Sequence, residues 1–135
     1  MRKNIIYLSH AEKGPSGGAK IIYHHSEIIN KFQNYSSKVV HIKKKKLSKL
    51  KISLEKRLKI NTSKDTGWQF NEIKAAKKFK YKWFENKIES KSNLAFNKNN
   101  DFVILPEIFA HLADELLIKN GIKYAIFVQN GYAIA

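Results

Sequence analysis

Four short apolar runs punctuate the chain, and none of them alternates cleanly between apolar and polar residues. Ile5 to Leu8, Lys38 to Ile42 (KVVHI), Asp101 to Leu105 (DFVIL) and Lys123 to Val128 (KYAIFV) each read as a strand buried on both faces, the pattern of a parallel sheet with helices on either side. Between the first two runs the period changes. Ile21, Ile22, Ile28, Ile29 and Phe32 recur near the 3.6-residue repeat, which predicts a helix over Gly17 to Gln33. A second helix is expected from Pro106, well suited to a first helical position, to Gly121, a good C-terminal cap. Strand and helix therefore alternate. The expected fold class is α/β, a Rossmann-like, mostly parallel sheet flanked by helices.

The pattern weakens between Lys43 and Asn100. Leu47, Leu50, Leu54 and Leu58 form a helical stripe among many lysines, at spacings of three, four and four. Such a basic amphipathic helix either lies on anionic lipid or packs its leucines on the domain. Gly67-Trp68-Gln69-Phe70 opens a further expected helix reaching about Lys78. In Tyr81 to Ile88 (YKWFENKI), Trp83 and Phe84 read either as a strand at the sheet edge or as the end of that helix. Glu89 to Asn100 is polar and reads as a loop, and no internal repeat is visible.

Length and composition bound the picture. The chain has 135 residues, one domain's worth, able to bury roughly 70% of its unfolded surface. It has no cysteine, so neither a disulfide framework nor a thiolate metal site is available. The apolar run after Arg2 and Lys3 is too short for a signal-peptide core, and nothing approaches the roughly 18 apolar residues of a membrane span. The expected location is the cytoplasm.

The net charge of +15 suggests nucleic acid at first sight, yet all but two of the 26 basic residues are lysines, the exceptions being Arg2 and Arg57. Arginine is the side chain suited to bidentate phosphate and base contacts. Abundant isoleucine and asparagine point to an AT-rich coding bias, and there are no aromatic RNA-binding strands or zinc-finger spacings. A dedicated, specific nucleic-acid partner is not expected, whereas a general affinity for anions is.

Candidate chemistry collects where strands end, because ligands of open parallel sheets bind outside the carboxyl ends of the strands. The first strand is followed by Gly14, Pro15, Ser16, Gly17, Gly18 and Lys20, a glycine-rich turn into a helix N-terminus, where backbone N–H groups and the helix dipole favour an anion. It matches neither GxGxxG nor the P-loop pattern. The third strand ends in Pro106-Glu107, with the carboxylate in the first helical turn, where it serves either a site or the dipole itself. The last ends in Gln129-Asn130-Gly131-Tyr132, side chains suited to hydroxyl groups, although Asn-Gly is also a common turn. Glu107, His111 and Asp114, four and three residues apart, would share one helix face, so a metal site is conceivable there. No second ligand cluster accompanies them, and none is expected. No Asp-x-Asp and no nucleophile elbow occur.

The segments SGGAKIIYHHSEIIN, WFEN, DFVILPEIFA and YAIFVQNGY, in that order, resemble the N-terminal half of a GT-B glycosyltransferase, most of all the bacterial group 1 enzymes. The likeness spans nearly the whole chain outside the lysine-rich insertion at about 43–66. His24 stands where related sequences often carry an arginine. The resemblance implies two Rossmann-like domains facing each other across a cleft, the N-terminal one holding mostly the acceptor and the other mostly the nucleotide-sugar donor. It implies that the loop with Ser16, Gly17, Gly18 and Lys20 approaches the donor diphosphate, and that Glu107, Gln129, Asn130 and Tyr132 line the cleft. No metal or other cofactor is implied, and the catalytic residues are not identified. Such a protein acts on a sugar or a lipid-linked acceptor, the latter met by peripheral contact at the inner membrane face.

The donor-binding residues of such enzymes belong to the second domain. Because only seven residues follow Val128, the expectation is a polypeptide that continues, or a piece of one, marginally stable and inactive alone. The competing expectation is a non-enzymatic basic module that binds an anionic membrane or nucleic acid through Lys43 to Lys59.

Overall fold

The computed structural model describes residues 3–11, 17–45 and 69–128. Its elements, in chain order, are β1 (Lys3–His10), α1 (Gly17–Ile29), β2 (Tyr35–Lys44), β3 (Ile73–Ala75), β4 (Ser90–Lys91), β5 (Asp101–Pro106), α2 (Ala113–Leu116) and β6 (Lys123–Phe127). The sheet runs β3-β2-β1-β5-β6, with β4 adding to the outer edge of β2. Strands β2, β1, β5 and β6 are mutually parallel and β3 is antiparallel to β2. This is an α/β domain with a mostly parallel sheet flanked by helices, as the apolar runs predict.

The two faces explain the unalternating runs. Ile6, Leu8, Val40, Ile42, Val103 and Leu105 pack in one cluster with Phe109, Leu112, Leu116 and Leu117 from the segment after β5. Tyr7 and Val39 face the other way and pack with Ala19, Ile22 and Tyr23 of α1 and with Tyr81. A strand between two covers needs an apolar side chain at nearly every position. Within α1, Ala19, Ile22, Tyr23 and Ser26 are buried, the i, i+3, i+4, i+7 set that faces the sheet. The helix stops at Ile29, earlier than expected. Asn30 closes the exit by accepting from the Ser37 main-chain N–H at 2.7 Å and donating to the Ser37 carbonyl at 3.2 Å.

Two expected helices turn out differently. Residues 106–121 are not one α-helix: a 3₁₀ turn over Glu107–Leu112 passes into the single turn of α2, then a 3₁₀ turn over Ile118–Asn120. The tighter coil stacks residues three apart, so Phe109 and Leu112 both reach the core. Gly121 ends the segment as expected, left-handed at φ 69°, while the Ile122 N–H bonds the Leu117 carbonyl at 3.0 Å. The helix expected from Gly67 to Lys78 is a 3₁₀ turn at Phe70–Glu72 followed by β3. The free edge of β2 supplies what a helix would have supplied internally: the Lys45 N–H bonds the Glu72 carbonyl and the Ala76 N–H bonds the His41 carbonyl, each at 2.7 Å. In that ladder Lys43 stands directly opposite Lys74.

Residues 79–88 form a strap over the α1 side of β2, neither strand nor helix. Exposure alternates along much of it: Lys80 and Lys82 face solvent, whereas Phe79, Tyr81 and Trp83 turn inward. Asn86 fixes its turn by donating to the Phe84 carbonyl and accepting from the Ile88 N–H. The segment after it is loop as expected, apart from the two residues of β4.

Candidate functional site

The chain leaves β1 toward β2 on one side and returns on the other side as β5. Adjacent parallel strands that diverge in this way open a crevice at their carboxyl ends. The register Tyr7↔Ile104 carries the ends of β1 and β5 to the same edge of the sheet, and Pro106↔Phe127 adds the end of β6. Parallel pairing thus brings His10, Glu107 and Phe127 to one rim.

Gly17 is the first residue of α1 and is exposed; Gly18 is half-buried and Lys20 is exposed. A Cβ placed on Gly17 meets no atom of the described residues within 4 Å. The first turn of α1 contains no acidic residue, so nothing within the turn itself offsets the positive end of its dipole. Glu107 is half-buried in the first 3₁₀ turn after β5. Ser16, Gln129, Asn130 and Tyr132 lie outside the described residues, as does most of the insertion at 43–66.

Aromatic and imidazole rings complete the rim. The His10 ring lies 4.7 Å from that of Phe109, and the His25 ring sits edge-on to Phe127 at 5.2 Å. His24 is exposed and His25 half-buried, the split expected of neighbours on an amphipathic helix. Among the described residues no three His, Asp or Glu side chains converge as metal ligands. Glu107 and His111 share a 3₁₀ turn, where residues four apart are rotated by about 120° rather than stacked.

Behind the rim lies a buried polar relay that sequence reasoning missed. The Tyr81 hydroxyl donates to the main-chain oxygen of His10 and lies 3.1 Å from Ser9 Oγ. Tyr23 hydrogen-bonds His41 Nε2, and His41 Nδ1 lies 3.0 Å from Ser90 Oγ. Burial pushes the His41 imidazole down from 6.5 to about 4, so the ring is neutral at pH 7. Burial, with the neighbouring Tyr81, pushes the Tyr23 phenol up, so it keeps its proton. Tyr23 O–H therefore donates to Nε2, and Nδ1–H donates to Ser90. The rings of Tyr23, Phe79, Tyr81 and Phe84 enclose this chain of bonds. The alternation KFKYKW was its one visible signal in the sequence: lysines outward, rings inward.

The arrangement can present backbone N–H groups and a positive dipole end to an anion at Gly17, beside a carboxylate able to accept from a hydroxyl group. Comparison with family models, with curated proteins and with solved structures finds no match to this chain.

Proposed function

We propose that the domain is the Rossmann-like, acceptor-side half of a GT-B glycosyltransferase, which moves a sugar from a nucleotide-sugar donor to an acceptor in company with a second, donor-binding domain. The observation that carries this reading is the reversal of strand order at β1. It sets the glycine start of α1 and the Glu107 end of β5 on one crevice. In this reading the first N–H groups of α1 and the Lys20 charge face the donor diphosphate, the negative part of the substrate. The lack of a side chain at Gly17 lets the phosphate approach the backbone closely. Glu107 accepts a hydrogen bond from an acceptor hydroxyl. Gln129, Asn130 and Tyr132 are assigned to the same cleft from the sequence resemblance alone.

The test is sugar transfer from UDP-, GDP- and ADP-sugars by the complete gene product, followed by mass spectrometry over a panel of lipid-linked and soluble acceptors. Transfer or slow donor hydrolysis is the expected result. A well-folded protein with no turnover of any nucleotide sugar overturns the reading.

A further inference from the structure

The outer side of α1 carries exposed aliphatic side chains beside the polar Lys20 and His24. Ile21 and Ile28, two turns apart on one face, are 46% and 40% exposed, and Phe32, just beyond the helix, is 58% exposed. Tyr35 extends the apolar surface into β2, and beside it an apolar groove of about 350 Å³ runs from Phe32 to Ile104. On the opposite flank of α1 an open cleft of about 1090 Å³ separates the helix from the strap, with Trp83, Phe84 and Ile88 among its lining. Lys31, Lys80, Lys82 and Lys87 also line it, against Glu27 and Glu85. All four lysines are exposed, and none of them belongs to the Lys38–Glu89 pair at 3.7 Å or the Lys44–Glu72 pair at 3.6 Å.

We infer that this side of the domain is a peripheral membrane-binding surface for anionic phospholipid: Ile21, Ile28 and Phe32 enter the headgroup–acyl boundary while the cleft lysines hold the head-group phosphates. Exposed aliphatic groups beside cations match an interface that is apolar below and negatively charged above. A nucleic acid would use the cations and leave the aliphatic groups in water. The contact is interfacial, since no helix among the described residues is long and apolar enough to cross a membrane. It differs from the basic segment Lys43 to Lys59 and stands independently of the sugar-transfer reading.

Co-sedimentation of the full chain with phosphatidylcholine vesicles, with and without phosphatidylglycerol, tests the surface. Binding is expected only to the anionic vesicles and falls with salt. Lys80→Ala combined with Lys82→Ala weakens it by about 30-fold, at roughly fivefold per lysine. Ile28→Ser combined with Phe32→Ser weakens it even at low salt. Lys119→Ala combined with Lys123→Ala removes the same charge from exposed positions at the opposite edge of the sheet and leaves binding unchanged. Circular dichroism and unfolding midpoints confirm that all three pairs fold. Equal losses from both lysine pairs, binding that survives both the Lys80/Lys82 and the Ile28/Phe32 pairs, or no vesicle binding at all overturns the inference. So does tighter, Lys80/Lys82-dependent binding to single-stranded RNA.

Discussion

The Tyr81 hydroxyl donates to the main-chain oxygen of His10, tying the strap to the point where β1 leaves the sheet for the glycine turn. The strap has no ladder of its own here, so this bond and the inward rings hold it. Tyr81→Phe keeps the ring and deletes the bonds to His10 and Ser9. Unfolding in urea should show a loss of about 1–2 kcal/mol, because a buried carbonyl loses its donor. An unchanged midpoint would mean the strap is held by ring packing alone.

His41 makes stability depend on pH. Well above pH 6.5 the imidazole is neutral in both the folded and the unfolded chain and contributes no slope. As pH falls from 6.5 toward about 4, the unfolded chain takes up a proton that the folded chain refuses, so stability drops. The loss from this group amounts to roughly 3 kcal/mol once pH is below its folded value. Urea unfolding at a series of pH values across this window should show the decline, and His41→Gln should flatten it.

Gly17→Ala separates structure from approach. The added methyl group meets no atom of the described residues within 4 Å, and alanine is the better helix former, so stability should hold or rise by up to about 1 kcal/mol. Donor turnover by the complete gene product should nonetheless fall, since the methyl group occupies space assigned to the diphosphate. Equal turnover in both proteins would remove Gly17 from the site.

Gly121→Ala tests a backbone instead. Nothing crowds this position either, yet φ is 69°, a conformation that costs an L-residue about 1–2 kcal/mol. The melting temperature should fall by several degrees, at about 4 °C per kcal/mol for a chain of this size. No shift would indicate that the turn relaxes to another conformation.

The parallel strands were legible because burial on both faces leaves continuous apolar runs, and Ile5–Leu8 and Asp101–Leu105 carry that signal plainly. Gly121 was legible as a cap because only its backbone conformation mattered. Residues 67–78 misled because Phe70 and Ile73 look helical until β2 is seen to have an open edge, which is a tertiary fact. That Gly17 and Gly18 open the helix after β1 and that Glu107 follows β5 could be read from the order of apolar runs. The pairing of Tyr23 with His41 could not, since residues 18 positions apart meet only after α1 folds onto β2.

Lys43 and Lys74 face each other across the last ladder of the sheet, and β3 is an edge strand. Like charges at that spacing repel, and any strand arriving to extend the sheet would add its own desolvation cost. The edge therefore resists pairing with a second molecule. Lys74 thus places part of the large positive charge on a sheet edge, where it disfavours the docking of a further strand.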